Sequence, residues 1–128
     1  MQTAYNTKET EKKPSDLQRH VMSIVDNIEQ GITITEENQH DFDIDGEIGD
    51  ILNGWDYLND ILDIEYYLSS DRQTVLGARI LVAFGGQNIW IDTRFERVEG
   101  YWWGDKCIMT YHNDAMNIGE CVADMWSC

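Results

Sequence analysis

Apolar residues recur at helical spacing near the start of the chain. Ser15 is a candidate N-cap, and the apolar positions after it lie three or four residues apart until Gly31. These positions are Leu17, Val21, Ile24, Val25 and Ile28. The pattern predicts an amphipathic helix that buries one stripe and ends at the glycine.

A second stripe of the same period lies between residues 50 and 63. Its apolar members are Ile51, Leu52, Trp55, Leu58, Ile61 and Leu62. The opposite side carries Asp50, Asn53, Asp56, Asp60 and Asp63. We predict a second helix with an acidic exposed face, although Gly54 weakens it by about 1 kcal/mol relative to alanine.

From Ile64 onward the apolar period shortens to two, which is typical of β-strands. Four segments alternate in this way, and short turns rich in Gly, Ser, Asp and Asn separate them: IEYYLS, TVLGARILVAF, NIWIDT and RVEGYWWG. CIMT (107–110) either extends the sheet or leads out of it. Short links imply antiparallel neighbours. The face of the second strand predicted to be buried carries Leu76, Ala78, Ile80, Val82 and Phe84.

The last segment, 113–126, has apolar residues at helical spacing and predicts a C-terminal helix: Met116, Ile118, Val122 and Met125. The expected fold is therefore α+β, with two N-terminal helices, a four- to five-stranded antiparallel sheet and a C-terminal helix. Residues 1–13 are polar and without periodicity, so we expect a flexible tail followed by one acidic domain over 14–128. The sequence shows neither a long apolar run nor a leader, so a cytoplasmic location is expected.

Charge changes this picture more than any motif does. The formal net charge is -15, and the stretch from His20 to Asp71 contains no Lys or Arg but fourteen Asp and Glu. The basic residues all lie outside it: Lys8, Lys12, Lys13, Arg19, Arg72, Arg79, Arg94, Arg97 and Lys106. Such a one-sign field attracts partners of opposite charge and disfavours direct binding to nucleic acid or membranes.

The most acidic segment, DFDIDGEIGDIL (41–52), begins like a calcium-binding loop. Asp41, Asp43 and Asp45 occupy the first three ligand positions and Gly46 the turn position. Leu52 stands where the bidentate glutamate belongs. The preceding segment, 31–40, alternates β-branched and polar residues and lacks a helical stripe. Calcium binding by the three aspartates remains an alternative to an acidic surface that meets a partner.

Catalytic and cofactor motifs are missing from the sequence. The cysteines, Cys107, Cys121 and Cys128, form no CxxC pair, and no GxSxG, HExxH, P-loop or dinucleotide fingerprint occurs. We therefore expect a protein that is not an enzyme and that needs no cofactor. Trp102 and Trp103 are adjacent on a predicted strand and point to opposite faces, so at most one is expected in the core, and its neighbour covers the far face or anchors an interface.

Residues 78–107, ARILVAFGGQNIWIDTRFERVEGYWWGDKC, resemble small acidic proteins of Firmicutes plasmids, phages and integrative elements. The shared pattern is an FGGxNIxxDT run followed by VExYWWGD. It covers the positions Gly85, Gly86, Asn88, Ile89, Asp92, Thr93, Glu99, Tyr101, Trp102, Trp103, Gly104 and Asp105. The resemblance implies an anti-defence protein, of the antirestriction or anti-CRISPR kind, and it assigns a structural hairpin to these residues rather than a catalytic role.

Charge and resemblance together predict an anti-CRISPR inhibitor from a mobile genetic element. It would mimic nucleic acid and occupy a basic channel of a type II CRISPR effector nuclease in the bacterial host. The expected partner-binding residues are Asp41, Asp43, Asp45, Glu47, Asp50, Asp56, Asp60 and Asp63, with Trp102 or Trp103 as an interface aromatic. An antirestriction protein acting on a restriction enzyme and a calcium-binding interaction module remain the alternatives.

Overall fold

A five-stranded antiparallel sheet with helices packed on one face forms the described part of the chain. It is seen in a computed structural model that describes residues 15–127 except 43 and 45. The elements are α1 (Asp16–Gln30), α2 (Glu36–Phe42), α3 (Gly54–Tyr57), a 3-10 turn (Leu58–Asp60), β1 (Asp63–Leu68), β2 (Val75–Ala83), β3 (Asn88–Asp92), β4 (Arg97–Trp102), β5 (Asp105–Thr110) and α4 (Ile118–Ser127). The α+β class, the antiparallel sheet and the C-terminal helix are confirmed.

The first helix forms as the sequence predicts. The Ser15 side chain accepts a hydrogen bond from the Gln18 N–H, and the Gln18 side chain accepts one from the Ser15 N–H, which makes a reciprocal capping box. Gly31, at φ +83°, follows its last turn. The predicted apolar stripe is buried along its whole length, and each such side chain contributes about 1.5–3 kcal/mol.

The strands follow one another as a meander in the order β1-β2-β3-β4-β5. One cross-strand row supplies the centre of the buried face: Ile64, Ile80, Ile91, Val98 and Met109. In β2 the predicted alternation holds for Ala78 and Ile80, which are fully buried, but Leu76 and Phe84 at the ends are exposed. Helices α1 and α4 cover this face, α1 over β4 and β5 and α4 over β2.

The predicted helix over residues 50–63 is wrong in its extent. Helical backbone covers only Gly54–Asp60, and Ile61 is already extended at ψ 148° because the chain must turn into β1. Asp50 lies before the helical segment, and Asp63 is the first residue of β1. Of the predicted apolar stripe, Leu52 and Leu58 are buried, whereas three members are exposed: Ile51, Trp55 and Leu62.

An additional helix, α2, occupies part of the segment that lacks a helical stripe. Its start is fixed by Thr35, whose hydroxyl accepts from the Asn38 N–H while the Asn38 side chain accepts from the Thr35 N–H. Before α2, Thr33 forms an isolated antiparallel bridge with Ile51. The alternation of β-branched residues around Thr33 therefore marks this bridge, and not a strand of the main sheet.

The C-terminal helix begins later than the predicted boundary, at Ile118 rather than near Asn113. Asp114 accepts hydrogen bonds from the N–H groups of Ile118 and Gly119, at 2.9 Å and 3.0 Å, and so satisfies two donors of the first turn. Its buried residues are Ile118, Cys121 and Val122.

Candidate functional site

The predicted acidic residues do not share one helix. Asp56 and Asp60 lie on the helical segment 54–60, whereas Asp50 and Glu47 lie in the turn before it. Asp43 and Asp45 fall outside the described residues, and so does the side chain of Asp41. The acidic face therefore consists of several short pieces of chain whose positions depend on the packing between them.

A short backbone ladder joins two of these acidic pieces. The Ile34 N–H donates to the Asp50 carbonyl at 2.8 Å, and the Leu52 N–H donates to the Ile32 carbonyl at the same distance. This pairing holds Asp50 beside the chain that leads into α2, where Glu36 and Glu37 are exposed. Asp50 and the start of α2 are thereby held close together although they are distant in sequence.

The described residues of the candidate calcium loop make packing contacts. Leu52 is buried in the core, and Ile44 packs against the core from outside. A Cβ on Gly46 would lie 2.5 Å from the Ile34 Cδ1 atom, so this glycine permits close packing. Among the described residues, no group of three or more His, Cys, Asp or Glu side chains could hold a metal ion.

Helices α3 and α4 approach each other closely, and two acidic pairs lie on these segments. A Cβ on Gly54 would lie 2.5 Å from the Cys121 Sγ atom and 2.8 Å from the Met116 carbonyl, so the absence of a side chain lets α3 approach α4 closely. Asp56 and Asp60 are four residues apart, and Glu120 and Asp124 repeat the same spacing on α4. The sequence predictions missed the α4 pair, although the lack of any Lys or Arg after Lys106 was the available signal.

These four carboxylates lack ion-pair partners in the described part of the chain. None of Asp56, Asp60, Glu120 and Asp124 forms an ion pair there. Exposed apolar side chains lie among the acidic ones on the same segments: Ile48, Ile51, Trp55 and Leu62. We call the four carboxylates, together with Glu47, Asp50 and Asp63, the acidic helix surface. It combines unpaired negative charge with apolar area, which is a combination suited to a protein partner.

The face of the sheet opposite the helices, which we call the open face, carries carboxylates that are buried and hydrogen-bonded. Glu99 is only 3% exposed, and its carboxylate accepts from Arg79 at 3.0 Å, Arg97 at 3.1 Å and the Tyr101 hydroxyl at 3.0 Å. Arg79 also lies over the Trp90 ring, 4.2 Å from its centroid. Burial by itself would raise the pKa of Glu99, but the hydrogen bonds from the arginines and the tyrosine outweigh it and hold that pKa below its ordinary value.

Asp92 is the second buried carboxylate of this face. It accepts from the Tyr67 hydroxyl at 2.8 Å and from the Phe95 N–H at 3.0 Å, so it ties β1 to the β3–β4 turn. Asp92, Glu99 and Tyr101 are among the positions for which the sequence resemblance predicts a structural role. Among the described residues, every buried side-chain nitrogen and oxygen is hydrogen-bonded.

Trp102 and Trp103 separate in the structure, but in a different way from the prediction. Trp102 ends β4 and packs against the core, while Trp103 lies in the two-residue β4–β5 turn and is 91% exposed. The prediction that both are strand residues is wrong, because Trp103 lies in the turn; the alternative that it anchors an interface stays a prediction. Trp103 has φ +58° and Gly104 does not have a positive φ, so tryptophan occupies the first loop position, where such a turn favours glycine.

The described cysteines show no sign of activation. Cys121 is buried and Cys107 half-buried, and both are free thiols. Burial raises the pKa of both, which keeps them protonated at neutral pH. Cys128 lies outside the described residues.

Comparisons with family models, with curated proteins and with solved structures found no match to this chain. The resemblance of residues 78–107 therefore stays a prediction from sequence. Within the described residues, no helix is both long enough and apolar enough to cross a bilayer. The interpretation of the site consequently depends on its own geometry.

Proposed function

We propose that this protein is a non-enzymatic inhibitor that places its acidic helix surface in the basic channel of a nucleic-acid-processing enzyme. The first target to test is a type II CRISPR effector nuclease, as the resemblance of residues 78–107 suggests. The acidic loop residues Asp41, Asp43 and Asp45 belong to the same proposed contact. Inhibition follows because the channel cannot hold its nucleic acid while Asp and Glu side chains pair with its Lys and Arg.

The contact between α3 and α4 is the observation that carries this proposal. One helix with one carboxylate per turn carries a charge about every 5.4 Å, which is sparse beside the roughly 3.4 Å spacing of phosphates along one DNA strand. The α4 pair adds a second group of carboxylates beside the helical segment 54–60, and the close approach at Gly54 supports a higher density of negative charge than one helix alone provides.

Exposed aromatic area supplies the second part of the proposed contact. Trp103 protrudes from its turn, and Phe84, which is 72% exposed, lies in the β2–β3 turn at the same end of the meander. Holding tryptophan at positive φ costs about 1–2 kcal/mol, which its few contacts do not offset. We propose that Trp103 anchors the partner, since tryptophan is enriched among residues that dominate binding energy.

A cleavage assay with purified type II effectors and, in parallel, restriction enzymes tests this function. The helix-surface variant replaces Asp56 and Asp60 by Asn, Glu120 by Gln and Asp124 by Asn. The matched control makes the same change of four charges elsewhere, as Asp26→Asn, Glu65→Gln, Glu96→Gln and Asp105→Asn. We expect stoichiometric inhibition by the wild type, at least about tenfold weaker inhibition by the first variant and nearly unchanged inhibition by the control.

The same assay contains the results that oppose the proposal. Inhibition at substoichiometric ratios would indicate an enzyme acting on the effector or its guide. Equal inhibition by the helix-surface variant and the wild type would place the contact elsewhere. Trp103→Ala separates the aromatic contribution, because it leaves the charge unchanged and is expected to speed dissociation.

A further inference from the structure

A small cavity lies where α1, the 3-10 turn and the end of β2 meet. Its volume is about 210 Å³, and its lining residues are Ile24, Tyr57, Asp60, Ile61 and Val82. Ligand pockets for drug-sized molecules begin at about 300 Å³. The cavity is therefore of a size for one side chain, and too small for most organic cofactors.

One part of the cavity lining is apolar, and the part contributed by the helical segment 54–60 is polar. Ile24, Ile61 and Val82 provide aliphatic surface, and Ile24 belongs to the buried stripe of α1. Tyr57 and Asp60 are three residues apart in one continuous helical segment, so their side chains lie on the same side of it. The cavity is thus lined by a tyrosine and an aspartate next to an aliphatic wall.

Both polar groups are available to a ligand. Within the described residues, neither the Asp60 carboxylate nor the Tyr57 hydroxyl has a hydrogen-bond or ion-pair partner. Burial raises the pKa of Tyr57 to about 12, so its hydroxyl stays protonated at neutral pH. A carboxylate with two acceptor oxygens beside a neutral hydroxyl suits a cation that carries several donors.

We propose that this cavity binds an arginine side chain from the basic surface of the partner. The methylene groups of arginine pack against the aliphatic wall, and its planar guanidinium donates to Asp60 and Tyr57 together. Within the described residues, Asp60 forms no ion pair with any of the chain's own Lys or Arg. This inference rests on the proposed function for the identity of the partner, but the cavity and its chemistry stand independently of it.

The position of the cavity links it to the acidic helix surface. Asp60 belongs to both, because it lines the cavity and follows Asp56 by four residues. A basic partner that meets α3 therefore brings its side chains to the mouth of the cavity. Charge complementarity favours a cationic side chain in the cavity. An uncharged aliphatic side chain would pack against the aliphatic wall but leave the Asp60 carboxylate unpaired.

Nuclear magnetic resonance with a small probe tests the proposal on the full-length chain. The probe is N-acetyl-arginine methylamide, and the observed signals are the methyl groups of Ile24, Ile61 and Val82. We expect saturable shifts at millimolar probe and about tenfold weaker binding to the Asp60→Asn variant. Asp26→Asn is the matched control, because it removes one α1 carboxylate that does not line the cavity, and it should bind as the wild type does.

N-acetyl-norleucine methylamide, which is aliphatic and uncharged, provides the second comparison. Equal shifts with both probes, equal binding to Asp60→Asn, or no saturable shift at these methyl groups would each overturn the inference. Binding of the lysine derivative with at least the arginine affinity would overturn the assignment to arginine. The outcome is separable from the nuclease assay: a cavity that fails this titration leaves the effect of the helix-surface variant on inhibition intact, and the reverse also holds.

Discussion

The acidic helix surface and the open face of the sheet both carry carboxylates, but they use them differently. On the open face, Glu99 and Asp92 are buried, and each of their carboxylate oxygens accepts a hydrogen bond: those of Glu99 from Arg79, Arg97 and Tyr101, and those of Asp92 from Tyr67 and the Phe95 N–H. On the helix surface, Asp60 and its neighbours have no cation from the described chain. A buried, paired charge is costly to remove because its partners are left unpaired, whereas exposed like charges cost stability by repulsion and are available to a partner.

Loss of Glu99 should give the largest effect. In Glu99→Gln, the two arginines lose the charged acceptor that holds them on the sheet, and we expect the free energy of unfolding to fall by about 2–4 kcal/mol. Urea denaturation measures this. The matched change Glu65→Gln removes an exposed partner of Arg79 and should cost less than about 1 kcal/mol. Equal small effects of both variants would contradict the assignment of a structural role to Glu99.

Lowering the pH should remove the contribution of Glu99 to the free energy of unfolding. Because the pKa of Glu99 in the folded state lies below its ordinary value of 4.5, the unfolded chain binds the proton more readily. The stabilisation from Glu99 is therefore fully present above that ordinary value and is lost as the pH falls through the lower, folded-state pKa. We expect the stability difference between wild type and Glu99→Gln to narrow steadily below pH 4.5. A difference that stays constant to the acid limit of folding would be inconsistent with a paired carboxylate.

Adding a single methyl group at the contact between α1 and the sheet should lower the free energy of unfolding. A Cβ on Gly100 would lie 2.6 Å from the Val21 Cγ2 atom and 2.9 Å from the Leu17 Cδ1 atom, so Gly100→Ala pushes α1 away from β4. We expect a loss of about 1–3 kcal/mol in thermal or chemical unfolding. Gly104→Ala is the control, because an added Cβ there would meet no atom within 4 Å. A similar cost at both positions would argue against this packing.

The helix surface should show the smallest effect on stability, with the opposite sign. Like charges four residues apart on a helix destabilise it by about 0.2–0.5 kcal/mol per pair. Asp56 and Glu120 lie in the first turns of their helices, where negative charge is favourable, so the test variant neutralises only Asp60 and Asp124. It should stabilise the fold by about 0.4–1 kcal/mol at low salt, and less in about 0.5 M salt, where charges are screened. Unfolding at the two salt concentrations measures the difference. Destabilisation by this variant would mean that these carboxylates have structural partners.

Sequence patterns predicted the parts of the fold that depend on one side of an element being buried. The stripe of α1 and the alternation of Ala78 and Ile80 are such cases, and both are confirmed. The apolar pattern over residues 50–63 predicted too long a helix. Ile61 must become extended for the chain to enter β1, and apolar periodicity carries no information about that requirement. It also missed α2, whose start is set by the side chains of Thr35 and Asn38 and not by an apolar stripe.

The candidate site was predictable only in its charge. The absence of Lys and Arg between His20 and Asp71 indicated an acidic surface from sequence alone. The part played by α4 depends on the close approach at Gly54, which links residues more than sixty positions apart and leaves no local pattern. The pairing of Glu99 with Arg79 likewise depends on strand register. The register places the two residues on the same face of the sheet, in neighbouring cross-strand rows on either side of β3.

The salt dependence of binding to an inhibited nuclease tests the central claim most directly. The dissociation constant would be measured between about 0.05 and 0.5 M salt for the wild type, the helix-surface variant and the variant with four charges removed elsewhere. We predict that Kd rises steeply with salt for the wild type and for the control, and that the rise is clearly shallower for the helix-surface variant. The same slope for all three proteins, or a Kd indifferent to salt, would contradict the account.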